Sequence, residues 1–420
     1  MNTMNENIEA FYTELRKVKE GKFAIFLGAG SSYDYGIPTM AEMAIMLEKE
    51  LQNPKTAGTF DFKTIDILCA ITGISKDKGA DKKSSGTPNS LKWNIEDLLT
   101  RLQHLLNASQ DDGTLFPKTT TSINKTSFSK EALLTAEKAL IKFMVDCYQL
   151  DAADKPPHGD RAVEYLANFI EFVGGFHNSI SIFTTNNDLC IEAAIIRLSQ
   201  RQKNLGKKEF YLVDGFSHGI LPNFSIANFS SSPTITNRVA VYLWKLHGSV
   251  DWVFLNPIKP STSQKEQDAI SSNYNFGDES IICKNIDPGI LRKFQNAGAI
   301  SKDIVIDNLN AMIFPTPSKY SQTFNNPYMD LYQAFRRTLE TIEFFLVVGT
   351  SFPDAHINSA IKSFLGRETS MMYSVNPGFT REQICKILGE CRGLQPVIQM
   401  GFKDFIIAMQ TVESAKEDET

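Results

Sequence analysis

Five consecutive apolar residues, Phe23-Ala24-Ile25-Phe26-Leu27, run straight into Gly28-Ala29-Gly30-Ser31-Ser32, and this junction constrains the fold more than any other feature. A strand that is apolar on both faces needs cover on both faces, as in the middle of a parallel sheet. The small residues after it allow a tight turn, and residues 39–51 then repeat apolar positions at helical spacing. Strand, glycine turn and helix in that order begin a parallel α/β unit.

Further strands are predicted at residues 180–184, 241–246, 344–348 and 371–375. Between residues 61 and 176 the pattern is mainly helical. Asn94 caps one predicted helix, with Glu96 and Asp97 in its first turn, and residues 131–149 and 161–176 give two more. The polar stretches 76–90, 109–129 and 256–280 are predicted as loops, residues 1–22 as an exposed helix, and the last few residues as frayed. The expected architecture is therefore α/β, a Rossmann-like parallel sheet flanked by helices with a helical insertion. Its core is discontinuous, 20–60 and 177–400, with the insertion at 61–176 and a C-terminal helix and tail at 401–420.

Bulk properties narrow the partners. A net charge of −5 over 420 residues gives no general attraction to nucleic acid or anionic lipid. No apolar run approaches the roughly 20 residues that span a bilayer. The six cysteines lie apart, without a C-x-x-C pair, and are expected to be reduced core thiols of a cytoplasmic protein with no bound metal.

Chemistry is concentrated where the predicted strands end, the side on which α/β sheets bind ligands. Gly28, Ala29, Gly30 and Ser32 suit a phosphate approached by backbone N–H groups, although a tight turn with no ligand has the same composition. The third glycine, Gly36, comes six residues after Gly30 and leads into Ile37-Pro38. Thr185-Asn186-Asn187-Asp188 follows the second strand and reads equally as a set of helix caps. Lys245-Leu246-His247-Gly248-Ser249 closes the third; His247 has the side chain of a general base near neutral pH, or of a histidine held in a turn. Gly349-Thr350-Ser351 and Asn376-Pro377 end the last two, with hydroxyls and an amide placed for phosphate or ribose, or for turns.

Taken in order, G-A-G-x-S…G-I-P, T-x-N-x-D, L-H-G-S, G-T-S and V-N-P resemble the sirtuin superfamily. The longer strings from Lys245 to Trp252 and from Ser351 to His356 look more like the sirtuin-like NADases of bacterial antiphage defence. That resemblance implies a Rossmann-like NAD+-binding core. Asn186 would lie against the nicotinamide ribose and help position water, and His247 would be the catalytic base. Gly28, Ala29, Gly30, Ser32 and Pro38 would form one side of the dinucleotide site, Gly349, Thr350 and Ser351 the other. Asp188 would support the pocket, and Asn376 would hold the adenosine ribose.

The implied reaction is hydrolysis of NAD+ to nicotinamide and ADP-ribose, with no cofactor beyond NAD+ as substrate and no metal. The resemblance leaves open whether cyclic ADP-ribose is made as a minor second product. Two departures separate the chain from the deacetylases: Thr39-Met40 stands where their Asp-Phe-Arg run follows G-I-P, and the zinc-binding cysteine quartet is missing. An activity that depletes NAD+ needs restraint. The resemblance implies a homo-oligomer with a separate partner, a HerA-type ATPase before a short Argonaute. The alternative is a non-catalytic sensor of NAD or ADP-ribose that regulates such a partner. His356, two residues after Asp354, is expected in the first turn of a helix that Asp354 caps, and His104 is expected to be structural.

Overall fold

Phe344 and Phe345 show how the sheet is covered. In the computed structural model they are adjacent in a strand and point to opposite faces, as the two-residue period of a strand requires. Phe344 meets Phe11 edge-on at 5.6 Å, and Phe345 meets Phe364 at 5.6 Å. The structure describes residues 2–52, 60–74, 94–108, 120–123, 126–148, 159–217, 222–230, 237–257, 281–284, 292, 296, 304–313 and 326–417.

They form two compact units. The first, residues 1–36, 150–313 and 323–420, holds a six-stranded parallel sheet. Its strands are β1 (Phe23–Leu27), β4 (Ser179–Thr184), β5 (Glu209–Val213), β6 (Arg238–Lys245), β10 (Phe344–Val348) and β11 (Met371–Val375), in the order β11-β10-β1-β4-β6-β5. β1 and β10 are buried at every position, as their unbroken apolar sequences predicted. β1 lies centrally, and the chain adds strands first to one side and then to the other. The crevice at such a reversal lies outside the strands' carboxyl ends.

Helices flank this sheet. One face meets α8 (Tyr328–Thr341), α9 (Ala355–Leu365) and α10 (Arg381–Leu388) through a cluster that includes Phe26, Phe183, Val347, Leu331, Phe335, Ile361 and Leu388. On the other, α1 (Asn2–Lys17) and α11 (Phe402–Glu417) bring Phe11 against Phe344, Tyr373 and Phe405. α6 (Gly159–Phe176) adds Phe169 beside Phe402, and α7 (Cys190–Asn204) packs on α6 and β5. An antiparallel sheet of β7 (Gly248–Pro257), β8 (Ile281–Lys284) and β9 (Ile304–Met312) completes this unit.

The second unit, residues 37–149 and 314–322, is mainly helical. α3 (Phe62–Thr72), α4 (Ile95–Ala108) and α5 (Lys130–Tyr148) pack together with α2 (Met40–Gln52), burying Leu68, Leu98, Leu102, Leu133 and Leu140. A hairpin joins β2 (Thr120–Ile123) to β3 (Thr126–Ser129).

The expected class holds, and several details change. α1 is not an exposed helix: Ile8, Phe11, Tyr12 and Leu15 recur at helical spacing and are buried. The stretch 109–129, expected as a loop, contains the β2–β3 hairpin, and the loop expected at 256–280 begins within β7, which runs to Pro257; residues 76–90, 109–119, 124–125 and 258–280 lie outside the described residues. The units also divide the chain differently from the expected boundaries. α2 falls in the helical unit, and α6 falls in the sheet unit because its apolar face packs on α7 and β4.

The cysteine expectation is corrected too. Cys385 and Cys391 form a disulfide, their Cα atoms 5.5 Å apart, because the chain reverses at Gly389 just after α10. The other four are free thiols. No helix among the described residues is long and apolar enough to cross a membrane.

Candidate functional site

Because all six strands of the main sheet are parallel, the segments after β1, β4, β6, β10 and β11 leave it along one edge. The centre of that edge is built on Thr184 and Asn186. Thr184 Oγ1 donates to Leu27 O (2.7 Å) and accepts from Asn186 N (2.9 Å), tying the end of β4 to the end of β1. Asn186 is buried, and its Nδ2 donates to Gly28 O (2.9 Å) and Ser32 Oγ (3.0 Å), with Ser31 Oγ at 3.4 Å. Asn186 therefore anchors the glycine turn from beneath. Asn186, Gly28 and Ser32 were expected at the site and are in contact; Ser31 was not, although it lies within the quoted turn.

The glycines have a different reason from the expected one. Gly28 N donates to Val348 O and Gly30 N to Gly349 O, both at 2.8 Å, while Ser31 N and Ser32 N donate to Gly28 O and Ala29 O. Four N–H groups of the supposed phosphate cradle are thus engaged within the protein. A Cβ on Gly28 would lie 2.8 Å from Gly349 O and Thr350 Cβ, and one on Gly30 would lie 2.9 Å from Gly349 Cα. Gly349 has φ +62°, and a Cβ there would come within 2.5 Å of Ser31 N. These three glycines let the turns after β1 and β10 interlock.

Two single helical turns, Ala29–Ser31 and Tyr33–Tyr35, follow β1 and come before the long helix, which starts within one residue of the expected position 39. Gly36 ends them with φ +81°. α2 begins only at Met40, where Thr39 and Glu42 form a reciprocal cap. Pro38 belongs to the second unit.

Beside Asn186, the end of β4 is stitched to β6 and β7. Leu246 N donates to Thr184 O, and Val250 N to Asn187 O, each at 2.9 Å. With its amide oriented to satisfy its neighbours, Asn187 donates to the carbonyls of His247 and Gly248, both at 3.1 Å. Gly248 has φ +79°, and Ile313 N donates to His247 O at 2.8 Å. These bonds fix the backbone on both sides of the buried His247.

Beneath them lies a charged group that sequence reasoning missed. Lys245, only 2% exposed, pairs with Glu192 at 2.8 Å and donates to Ser249 Oγ at 2.8 Å and to Asp188 O. A lysine within an apolar strand was the available signal, since a buried cation needs a partner. Burial pushes the Glu192 carboxyl above its usual range, with Asp251 adding to this and Lys245 opposing it. Asp188 Oδ1 accepts from Cys190 N (3.0 Å), so Asp188 supports the start of α7. Burial, helped by the nearby Asp188 charge, drives the Cys190 thiol far up and keeps it protonated, which excludes it as a nucleophile.

Across the turn, Thr350 Oγ1 accepts from Phe352 N (3.1 Å), and Asn376 Nδ2 donates to Thr350 O (2.7 Å). Asn376 Oδ1 accepts from Gly378 N (3.0 Å), so both ends of this amide hold the loops after β10 and β11. Ser351 and Ala29 are exposed. His104 lies exposed on α4 in the second unit.

Asp354 occupies the N-cap position of α9, yet its carboxyl accepts no capping bond from the helix. His356 is in the first turn, as expected. Its ring lies 6.2 Å from that of His247, measured between centroids, and 5.2 Å edge-on from Tyr332. That neighbour was invisible to sequence reasoning, because more than a hundred residues separate the two histidines.

No described protein family and no curated relative matches the chain. Among solved structures it is similar to one described as the structural basis for the mechanism and regulation of Sir2 enzymes, at 13% identity, TM-score 0.37 and coverage of 98% of each chain. It is similar to a Sir2 homologue in complex with NAD, at 11% identity and TM-score 0.40, covering 97% of this chain and 94% of that one. A structure concerned with sirtuin substrate affinity is similar at 12% identity and TM-score 0.33, over 97% and 98% of the two chains.

Proposed function

We propose that this chain is an NAD+ glycohydrolase, with Asn186 and His247 as its catalytic pair. The observation that carries the reading is their placement: both are buried at the ends of the neighbouring strands β4 and β6, and Asn186 is bonded directly to the turn after β1. In this reading the dinucleotide lies along the carboxyl edge, between the turn at Gly28, Ala29, Gly30 and Ser32 and the one at Gly349, Thr350 and Ser351. Asp188 and Asn376 complete the site within the sheet unit. Nicotinamide leaves from C1′ with the bonding electron pair and becomes neutral, so cleavage relieves its positive charge. Water adds to the oxocarbenium-like ribose, His247 accepts the proton, and ADP-ribose is the second product. No metal or covalent intermediate is required.

As a biological role we propose an antiphage effector that depletes NAD+ when activated, cytoplasmic, assembled as an oligomer and controlled by a HerA-type ATPase, with a short Argonaute as the second choice. One observation favours the alternative, a sensor that binds NAD or ADP-ribose without cleaving it: the Asn186 amide, assigned to catalysis in the hydrolase reading, already serves the fold. Nicotinamide release from purified protein, with and without the partner, separates the two. Release that disappears in Asn186→Ala and His247→Ala supports the hydrolase. NAD+ binding without release under every activating condition supports the sensor.

A further inference from the structure

The sheet brings one histidine from the end of β6 and another from the first turn of α9 to the same edge. Their rings lie 6.2 Å apart with planes inclined by 30°. His247 is buried and His356 half-buried, so one imidazole sits deeper than the other. Tyr332 of α8 fixes the outer one: its ring meets His356 edge-on, and its hydroxyl donates to His356 O at 2.9 Å. Asn358 Nδ2 donates to Phe352 O at 2.8 Å, holding the loop after β10 to the helix that carries His356.

We propose that His356 relays the proton taken up by His247. The inference rests on the hydrolase reading above. Addition of water at C1′ forms the C–O bond and releases one proton, which passes to His247 and leaves an imidazolium in a buried position. Transfer from His247 to His356, through a bridging water across a gap of this length, restores the neutral base and delivers the proton to a more exposed ring. No oxidant, reductant or further reactant is needed.

Among the described residues, the ionisable groups on the elements that carry the two rings include Tyr332 of α8, which touches His356, Asp354 at the start of α9, and Lys245 at the end of β6, itself paired with Glu192. Burial holds the Tyr332 hydroxyl above its ordinary range, so it stays a neutral donor. Across such a gap a positive charge on one ring opposes a proton on the other.

The test is a histidine-resolved NMR titration of the full chain, with nicotinamide release measured over the same pH range. In the wild-type protein the two imidazoles should titrate in two linked steps. In His356→Gln the His247 midpoint should rise by about one pH unit as the opposing charge is removed. The acid limb of the kcat profile should move with it, kcat should fall about tenfold or more, and KM should stay nearly constant. Independent one-proton curves in the wild-type protein would overturn the relay before any variant is made. So would a His356→Gln enzyme with an unchanged kcat profile. If the imidazoles are coupled but no condition releases nicotinamide, the hydrolase reading fails and takes the relay with it, leaving only the pair.

Discussion

Lys245 Nζ lies 2.8 Å from Glu192 Oε1 in a pair from which water is almost excluded, and the same ammonium reaches Ser249 and the Asp188 carbonyl. One buried cation thereby joins the end of β4, the first turn of α7 and the β6–β7 turn, which are the segments that flank His247. Its value comes from geometry, because desolvating both charges offsets much of their attraction. Removing one partner leaves the other buried and uncompensated.

Lys245→Met should therefore destabilise the protein by about 3–5 kcal/mol, and Lys245→Met combined with Glu192→Leu should recover much of that loss. Urea unfolding of the two variants measures both effects. A single variant as stable as wild type would show that the pair supports nothing.

Gly248 and Gly36 make a second comparison. Both have left-handed backbones, φ +79° and +81°, but a Cβ on Gly248 would stand 2.1 Å from Ala311 O, whereas one on Gly36 would have nothing within 4 Å. Gly36→Ala should cost about 1–2 kcal/mol, the price of the backbone conformation alone. Gly248→Ala must also displace β9 at the Gly248–Met312 pairing, next to His247. Its thermal midpoint should fall further than that of Gly36→Ala, with a loss of nicotinamide release that Gly36→Ala does not share. Equal midpoints would contradict the steric account.

The sequence made the main sheet legible because β1 and β10 are apolar on both faces, a pattern few structures other than a buried strand accommodate. β5 was missed because only Phe210 of its five residues is buried, giving neither an apolar run nor clean alternation. β7, β8 and β9 are tied together by long-range pairing, which local pattern does not encode. At the site, the residue types at the strand ends were legible and their hydrogen bonds were not. Gly28 and Gly30 look like a phosphate turn in sequence, yet Gly349, in the turn after β10 and more than 300 residues away, determines why they are glycine.

His177 gives a pH dependence. Its side chain is 1% exposed, stacked on Phe23 at 5.4 Å and 3.9 Å from Glu20. Burial holds its imidazole below the ordinary value of 6.5, outweighing the pull of Glu20 and of the Leu15 backbone in the other direction. The folded state therefore takes up this proton less readily than the unfolded chain. Stability is complete above pH 6.5 and declines as pH falls from there through the folded-state value. Thermal midpoints between about pH 8 and about pH 5 should fall more steeply for wild type than for His177→Gln. Parallel curves would remove His177 as the source.

The most informative single substitution is Asn186→Asp, which keeps the size of the side chain and exchanges its donor for a carboxylate. Asn186 Nδ2 now donates to a carbonyl at 2.9 Å and a hydroxyl at 3.0 Å, and an aspartate oxygen there would face Gly28 O with no hydrogen between them. Ser32 can rotate its hydroxyl to donate, but the carbonyl cannot adapt. The loss should exceed the roughly 1–3 kcal/mol of a neutral unsatisfied buried acceptor, because the new group is charged, and should ease as pH falls and the carboxyl regains a proton to donate. Urea unfolding across pH measures that recovery. Nicotinamide release should vanish at neutral pH, because the turn after β1 loses its anchor at the point where the ribose is proposed to lie. A fully active, fully stable Asn186→Asp protein would mean that Asn186 neither holds the turn nor serves the reaction.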